Sequence, residues 1–192
     1  MHTVYLLRHA KSSWSDPTLP DQERPLARRG RRDAKRIAKH LVRLGIKPEL
    51  VLCSAAARTR ETLELLRPAL GATSTVRLEA ALYAASADKL LERLRAVPEA
   101  VASVMLIGHN PGLHDLALAL ASAGTELERL EAKFPTAALA TLTLPKGNLG
   151  AAVPGRRRAC GVCRSEAARL SPADSVAGLT WPRPTPRRPG TT

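Results

Sequence analysis

The chain has 192 residues, of which 44% are apolar, so it can form one domain with a hydrophobic core and still have spare length. Its formal net charge of +13 is uneven, because residues 146–192 alone carry nine basic and two acidic side chains. No apolar run approaches the roughly 18 residues that span a bilayer, and no secretory signal is visible. With three cysteines, one thiol must lack an intrachain partner, so we expect a reducing, cytoplasmic location and no membrane.

The order of apolar and amphipathic segments predicts an α/β protein. Short apolar runs predict strands at residues 3–8, 49–53, 75–78, 102–108 and 138–144. Helical periodicity predicts helices at residues 31–44, after a turn at 26–30, and at 56–70, where Pro68 ends or bends the helix. A third helix begins after Ser86 as its N-cap, and a fourth follows Pro111. This alternation indicates a three-layer α/β/α arrangement with a mainly parallel central sheet.

The periodic pattern stops after Pro145. We therefore predict a folded domain over residues 1–145 and a basic tail over residues 146–192, rich in Pro, Arg and Ala and poorly ordered, with a short helix near 165–170. The pair Cys160 and Cys163 supplies only half of a zinc site, so we predict no metal. The arginines at 156–158 lack stacking aromatics and a recognisable binding fold, so we do not expect nucleic acid as the partner.

Four short segments stand out, and three of them follow predicted strands. They are RHA at residues 8–10, RPL at 24–26 with RG at 29–30, SAAARTRET at 54–62, and GHNP at 108–111. Ligands of open α/β sheets bind beyond the carboxyl ends of the strands, so segments far apart in the sequence are expected to meet there. That edge would carry the imidazoles of His9 and His109 and the guanidinium groups of Arg8 and Arg58.

These side chains suit a phosphoryl dianion. The planar fork of an arginine binds two phosphate oxygens at once. A neutral histidine can attack phosphorus through one ring nitrogen while the other donates, commonly to a backbone carbonyl. A second histidine can donate to the oxygens where charge develops. Each piece alone is a weak signal, and the combination at matching strand ends carries the interpretation.

The four segments together resemble a known family. They read LLRHAKSSW at residues 6–14, ERPLARRG at 23–30, CSAAARTRET at 53–62 and LIGHNPGL at 106–113. These motifs resemble those of the histidine phosphatase superfamily, whose fold is phosphoglycerate mutase-like, and in particular those of its small SixA-type phosphohistidine phosphatases. The resemblance covers about residues 1–145.

The resemblance implies roles for the shared residues. His9 would be the nucleophile that takes the phosphoryl group, and Arg8, Arg58 and His109 would complete the phosphate pocket. Hydrolysis would take two steps, phosphoryl transfer to His9 and then attack by water, with no metal and no organic cofactor.

The resemblance leaves the proton donor open. Larger relatives carry an acidic residue on an inserted segment, and this chain has no obvious long insertion. Glu79 and Asp88 lie in the corresponding region, but we expect ordinary solvated positions for both. A phosphohistidine substrate needs little acid help where its leaving imidazole is already protonated.

The expected partner is a phosphorylated one. An open site would admit a phosphohistidine on a signalling domain of another protein, and equally a small phosphate ester. Two alternatives remain: a non-catalytic phosphate-binding module, against which the presence of His9 argues, and a nucleic-acid binder driven by the basic tail. A mutase is less in keeping with an open site.

Overall fold

The computed structural model describes residues 2–121 and 127–144 of the chain. The basic tail at 146–192, its helix near 165–170 and the Cys160/Cys163 pair lie outside these residues, so those predictions are not tested. The strands are β1 His2–Arg8, β2 Leu50–Ser54, β3 Thr75–Glu79, β4 Ser103–Gly108 and β5 Leu139–Leu144. The helices are α1 Arg28–Arg43, α2 Ala57–Leu70, α3 Ala87–Arg95, α4 Gly112–Leu120 and α5 Leu127–Ala132.

The strands form one five-stranded sheet in the order β3-β2-β4-β1-β5. The neighbours β3 and β2, β2 and β4, and β4 and β1 run parallel, whereas β5 runs antiparallel to β1 at the sheet edge. The prediction of a mainly parallel sheet is confirmed. This order places β1, β4 and β2 side by side in the middle, where parallel strands are covered on both faces.

Two hydrophobic cores lie on opposite faces of the sheet. Side chains of α1 and α2 cover one face, and side chains of α3, α4 and α5 cover the other. The side chains of the central strands are divided between the cores, as the alternation of a strand requires. In β4, Val104 and Leu106 enter the α3/α4 core, while Met105 and Ile107 enter the α1/α2 core. The three-layer α/β/α prediction is therefore confirmed.

One helix boundary differs from the sequence pattern, and one helix that was predicted within a residue passes through a proline. α1 begins at Arg28 rather than at residue 31, because Gly30 is part of its first turn and not of a preceding loop. A Cβ at Gly30 would stand 2.1 Å from the carbonyl oxygen of Lys11, so the glycine permits a close approach of two backbones. α2 continues through Pro68 to Leu70 and does not end at the proline.

The third helix begins as predicted. Ser86 is its N-cap, and the hydroxyl Oγ accepts a hydrogen bond from the backbone N–H of Lys89 at 3.5 Å. The short helix α5 was not predicted from the sequence. Within the described ranges, no helix is both long and apolar enough to cross a membrane.

Candidate active site

Three neighbouring strands, β1, β4 and β2, bring the candidate residues together beyond their carboxyl ends. β1 and β4 run in parallel register with Arg8 opposite Gly108, so the residues that follow them, His9 and His109, come out side by side. The backbone N–H of His9 donates to the carbonyl of Gly108 at 3.1 Å, which extends the pairing to the first residue of the site. β2 lies on the other side of β4, and the helix that follows it carries Arg58.

The four predicted residues meet in a largely buried cluster. The ring centroids of His9 and His109 are 5.1 Å apart, with the planes tilted by 53°. His9, Arg58 and His109 are each less than a tenth exposed. The charges of both Arg8 and Arg58 lower the pKa values of the two histidines, as expected for guanidinium groups that lie close to both rings.

His9 has one ring nitrogen committed and one available. Its Nδ1 lies 2.8 Å from the carbonyl oxygen of Ala10, and because a carbonyl can only accept, Nδ1 carries the proton. Burial lowers the pKa of His9 to about 3, and the charges of His109, Arg58 and Arg8 act in the same direction against the Ala10 carbonyl. At neutral pH the ring is therefore uncharged, with its lone pair on Nε2, as a nucleophile requires.

His109 is held by a different partner. Its Nε2 lies 2.8 Å from the hydroxyl of Ser54, while its Nδ1 is buried without a hydrogen-bond partner among the described residues. Burial lowers its pKa to about 4, Arg58 and Arg8 add to the shift, and Asp21 opposes it. A neutral ring whose Nε2 accepts from Ser54 has an Nδ1–H to offer, which fits donation to a phosphoryl oxygen.

Arg8 is fixed by the chain that leads into β5. Its Nη1 donates to the carbonyl of Phe134 at 2.8 Å, and the amide of Asn110 donates to the same oxygen, also at 2.8 Å. The Nε of Arg8 is buried without a hydrogen-bond partner in the described part of the chain. A buried donor left without a partner is costly, so this N–H is suited to an anion at the site.

Two polar neighbours of Arg58 were not predicted from the sequence. Arg58 donates through Nη1 to the backbone carbonyl of Asp21 and through Nη2 to its Oδ2 at 2.8 Å. The hydroxyl of Tyr83 donates to the same Oδ2 at 2.7 Å, and its ring meets that of His109 edge-on at 5.4 Å. The available signals were an acidic residue just before the ERPLARRG motif and one of only two tyrosines in the chain.

The ERPLARRG motif supports the site without entering it. The backbone N–H of Ser13 donates to the carbonyl of Pro25 at 2.8 Å, and that of Ala27 donates to the carbonyl of Lys11 at 2.9 Å. The loop after His9 is thereby paired with residues 25–27, and the close packing at Gly30 completes the contact.

Thr62 ties this loop to α2. Its hydroxyl accepts from the backbone N–H of Ala10 at 3.1 Å and donates to the carbonyl of Arg58 at 2.7 Å. One buried side chain therefore fixes the loop after His9 relative to the helix that carries Arg58.

The two candidate proton donors occupy different environments. Glu79 is not solvated as expected, because both of its carboxylate oxygens bond to Arg93, at 2.7 and 2.6 Å, and its side chain is only 20% exposed. Asp88 is exposed in the first turn of α3, as expected.

Other candidate reactive groups lie apart from this chemistry. Burial raises the pKa of Cys53 to about 12, so its thiol stays protonated. The described residues contain no group of three or more His, Cys, Asp or Glu side chains placed to hold a metal ion.

Comparison with known sequences agrees with this geometry. Residues 4–90 match the family model of the histidine phosphatase superfamily, branch 1. A chloroplastic protein of Arabidopsis thaliana is 35% identical over 139 residues. The match covers 67% of this chain and 63% of that protein, so the chain spans less than two thirds of this plant relative.

Comparison with solved structures finds similarity to one branch of this superfamily. The crystal structure of a putative phosphohistidine phosphatase SixA from Agrobacterium tumefaciens has a TM-score of 0.67 at 34% identity, covering 73% of this chain and 90% of that one. A protein histidine phosphatase SixA complexed with tungstate has a TM-score of 0.64 at 27% identity, covering 75% and 89%. The chain therefore belongs to the histidine phosphatase superfamily, with its phosphoglycerate mutase-like fold. Within the superfamily it falls in the SixA-type branch.

Proposed function

We propose that this chain is a phosphatase that hydrolyses its substrate through a phosphohistidine intermediate at His9. The observation that carries the proposal is the state of the His9 ring, which is buried, neutral and protonated on Nδ1, so that the lone pair lies on Nε2. A residue that only bound phosphate would be more useful as a cationic donor than as an uncharged ring with a free lone pair.

The first step transfers the phosphoryl group to the enzyme. The Nε2 lone pair of His9 attacks phosphorus and forms a P–N bond, and the bond between phosphorus and the leaving group breaks with its electron pair moving to the leaving atom. Arg8, Arg58 and His109 donate to the phosphoryl oxygens, where charge-assisted hydrogen bonds are strongest. The Nε of Arg8 and the Nδ1 of His109 support these roles, since both are buried without a hydrogen-bond partner among the described residues.

The second step restores His9. Water attacks phosphorus from the side vacated by the leaving group, the P–N bond to His9 breaks, and its electron pair returns to Nε2. Both protons of the water stay on the phosphate that is released. Because two guanidinium groups and an imidazole N–H supply the charge stabilisation, we propose that the reaction needs neither a metal nor an organic cofactor.

The proposed substrate is a phosphohistidine on another protein. The names of two similar structures support this choice, one a putative phosphohistidine phosphatase and the other a protein histidine phosphatase. A small phosphate ester remains the alternative substrate. The expected cytoplasmic location belongs to the same proposal.

A steady-state assay tests the proposal. Wild type and His9→Ala are given a histidine-phosphorylated peptide and p-nitrophenyl phosphate in EDTA, with His40→Ala as a control at a histidine outside the cluster. We expect turnover in wild type and His40→Ala, and a loss of at least 10³-fold in His9→Ala. Folded wild type that binds phosphate but turns over neither substrate would indicate the binding module instead. Activity retained in His9→Ala would contradict the mechanism.

A further inference from the structure

A carboxylate lies directly against the proposed phosphate-binding arginine. Asp21 begins a short 3-10 turn, Asp21–Glu23, and its Oδ2 accepts hydrogen bonds from Arg58 at 2.8 Å and from Tyr83 at 2.7 Å. Its side chain is 50% exposed, whereas that of Arg58 is 9% exposed. The carboxylate is therefore open to solvent, whereas the guanidinium group that it contacts is buried.

This arrangement does not favour phosphate binding by itself. An anion beside a dianion is repelled, and Asp21 neutralises part of the charge that Arg58 would offer. It does leave Arg58 competent, since a guanidinium group has five N–H donors and Asp21 takes only two of them. A carboxylate kept in such a place needs a role other than holding the phosphoryl group.

The direction of attack identifies what the carboxylate meets. In phosphoryl transfer the attacking and leaving atoms lie roughly in line on opposite sides of phosphorus. His9 is only 7% exposed and attacks from the buried side, so the leaving group departs towards solvent. Asp21 contacts Arg58 and is half exposed, so its carboxylate can be reached by a group that departs towards solvent.

We infer that Asp21 binds the leaving group and selects a leaving imidazole, so that the enzyme prefers phosphohistidine to phosphate esters. The inference rests on the proposed function, and it adds a specificity residue to it. The carboxylate accepts a hydrogen bond from the N–H of the substrate imidazole, on the ring nitrogen that does not carry phosphorus.

The step balances without a proton donor. The substrate imidazole enters protonated on its second nitrogen, and a nearby carboxylate stabilises that cationic form. When His9 attacks, the P–N bond of the substrate breaks and its electron pair stays on the departing nitrogen. The product is a neutral imidazole that keeps its N–H on Asp21, so no proton has to be transferred.

A phosphate ester gains nothing from this carboxylate. Its departing oxygen develops negative charge and has no N–H to offer, so an ionised Asp21 repels it. The hydrogen bond from Tyr83 lowers the pKa of Asp21, and the bond from Arg58 acts in the same direction. At neutral pH Asp21 is therefore an acceptor and not an acid.

The substitution Asp21→Asn separates charge from position. The asparagine side-chain oxygen can still accept from Arg58 and Tyr83, while the negative charge is removed. The variant is compared with wild type for kcat/KM on a histidine-phosphorylated peptide and on p-nitrophenyl phosphate. Glu23→Gln is the matched control, because it removes an exposed carboxylate from the same turn.

We expect kcat/KM on the peptide to fall at least tenfold in Asp21→Asn, while that on p-nitrophenyl phosphate stays level or rises. Glu23→Gln should change neither value by more than about twofold. An equal fall on both substrates would show that Asp21 only positions Arg58, and no change on the peptide would show that it does not meet the leaving group. Either result overturns the inference and leaves the His9 mechanism intact. Wild type inactive on both substrates would instead refute the proposed function.

Discussion

The two histidines show how burial decides chemistry at the level of single residues. Each has one ring nitrogen held by a protein partner, the carbonyl of Ala10 for His9 and the hydroxyl of Ser54 for His109. Burial keeps both rings neutral where an exposed histidine would be partly charged. Neutral rings can act as nucleophile and as hydrogen-bond donor without a preceding loss of protons.

The first prediction concerns their titration. Because burial lowers the two pKa values to about 3 and 4, we expect both rings of the free protein to remain neutral at pH 5.5. Side-chain NMR of the imidazoles, assigned with His9→Ala, measures this directly. A titration midpoint of His9 near the ordinary value of 6.5 would contradict the account.

The same shifts set a sign for stability. In unfolded chains these histidines bind protons near pH 6.5, whereas in the folded protein they do so only near pH 3 to 4. The unfolded state therefore binds more protons between these limits, and the free energy of unfolding should fall as pH falls below about 6.5.

The second prediction tests the partner of His109. In Ser54→Ala the Nε2 of His109 loses its hydrogen bond, so we expect kcat to fall about tenfold or more and stability to fall by about 1 kcal/mol. Ser74→Ala is the control, since that hydroxyl bonds to the carbonyl of Leu70 away from the site. It should lower the thermal midpoint similarly and leave kcat unchanged. Equal kcat values in both variants would remove Ser54 from the mechanism.

At the level of elements, the strands were predictable and some packing details were not. The apolar runs predicted all five strands within about a residue. The central strands β2 and β4 were the clearest, because parallel strands covered on both faces are nearly continuous in apolar residues. The predicted start of α1 at residue 31 was wrong, because a glycine such as Gly30 usually indicates a turn. A glycine is needed at this position because the backbone of Lys11 packs against it. Lys11 lies 19 residues away in the sequence, so this contact is visible only in three dimensions.

The residues of the site also include some that the sequence could predict and some that it could not. His9, Arg58 and His109 could be predicted because each follows a strand, and strand ends of a parallel sheet converge. Asp21 and Ser54 could not, because their partners lie 37 and 55 residues away and no local periodicity marks them. Glu79 also gave no local sign that it pairs with Arg93 across β3 and α3.

The third prediction tests the contact between α1 and the nucleophile's loop. In Gly30→Ala the new methyl group would collide with the Lys11 carbonyl, so the loop after His9 must shift. We expect a loss of about 1–3 kcal/mol of stability. We also expect kcat/KM to fall about tenfold at a temperature where the variant is folded.

Gly45→Ala provides the comparison for that variant. Gly45 has φ of +64° and no atom within 4 Å of an added Cβ, so alanine there costs about 1–2 kcal/mol through backbone strain alone. Its kcat/KM should match wild type. Equal losses of kcat/KM in the two variants would mean that stability alone, and not the position of the loop, governs activity.

At the scale of the whole molecule, side chains of the described residues form two cores on opposite faces of the sheet. The antiparallel strand β5 closes the edge of the sheet beside β1, and its side chains enter both cores. Charge is distributed differently, since residues 146–192 contribute a net +7 of the total +13. We propose that residues 1–145 form the folded domain, so that the tail carries about half of the net charge and no part of the core.

The fourth prediction follows from that division. A chain truncated after about residue 148 should keep its thermal midpoint within a few degrees and its kcat on p-nitrophenyl phosphate within about twofold. Any binding to nucleic acid by the full chain should be steeply weakened by salt and should vanish on truncation. A truncated protein that unfolds would show that the tail contributes to the core.

The most direct test of the central claim is to trap the phosphorylated enzyme. Wild type is mixed with the histidine-phosphorylated peptide, quenched within the first turnover under alkaline conditions that preserve phosphohistidine, and digested for mass spectrometry. The account predicts phosphate on His9 in wild type and no phosphoenzyme in His9→Ala. Phosphate on another residue, or rapid turnover by His9→Ala, would contradict it.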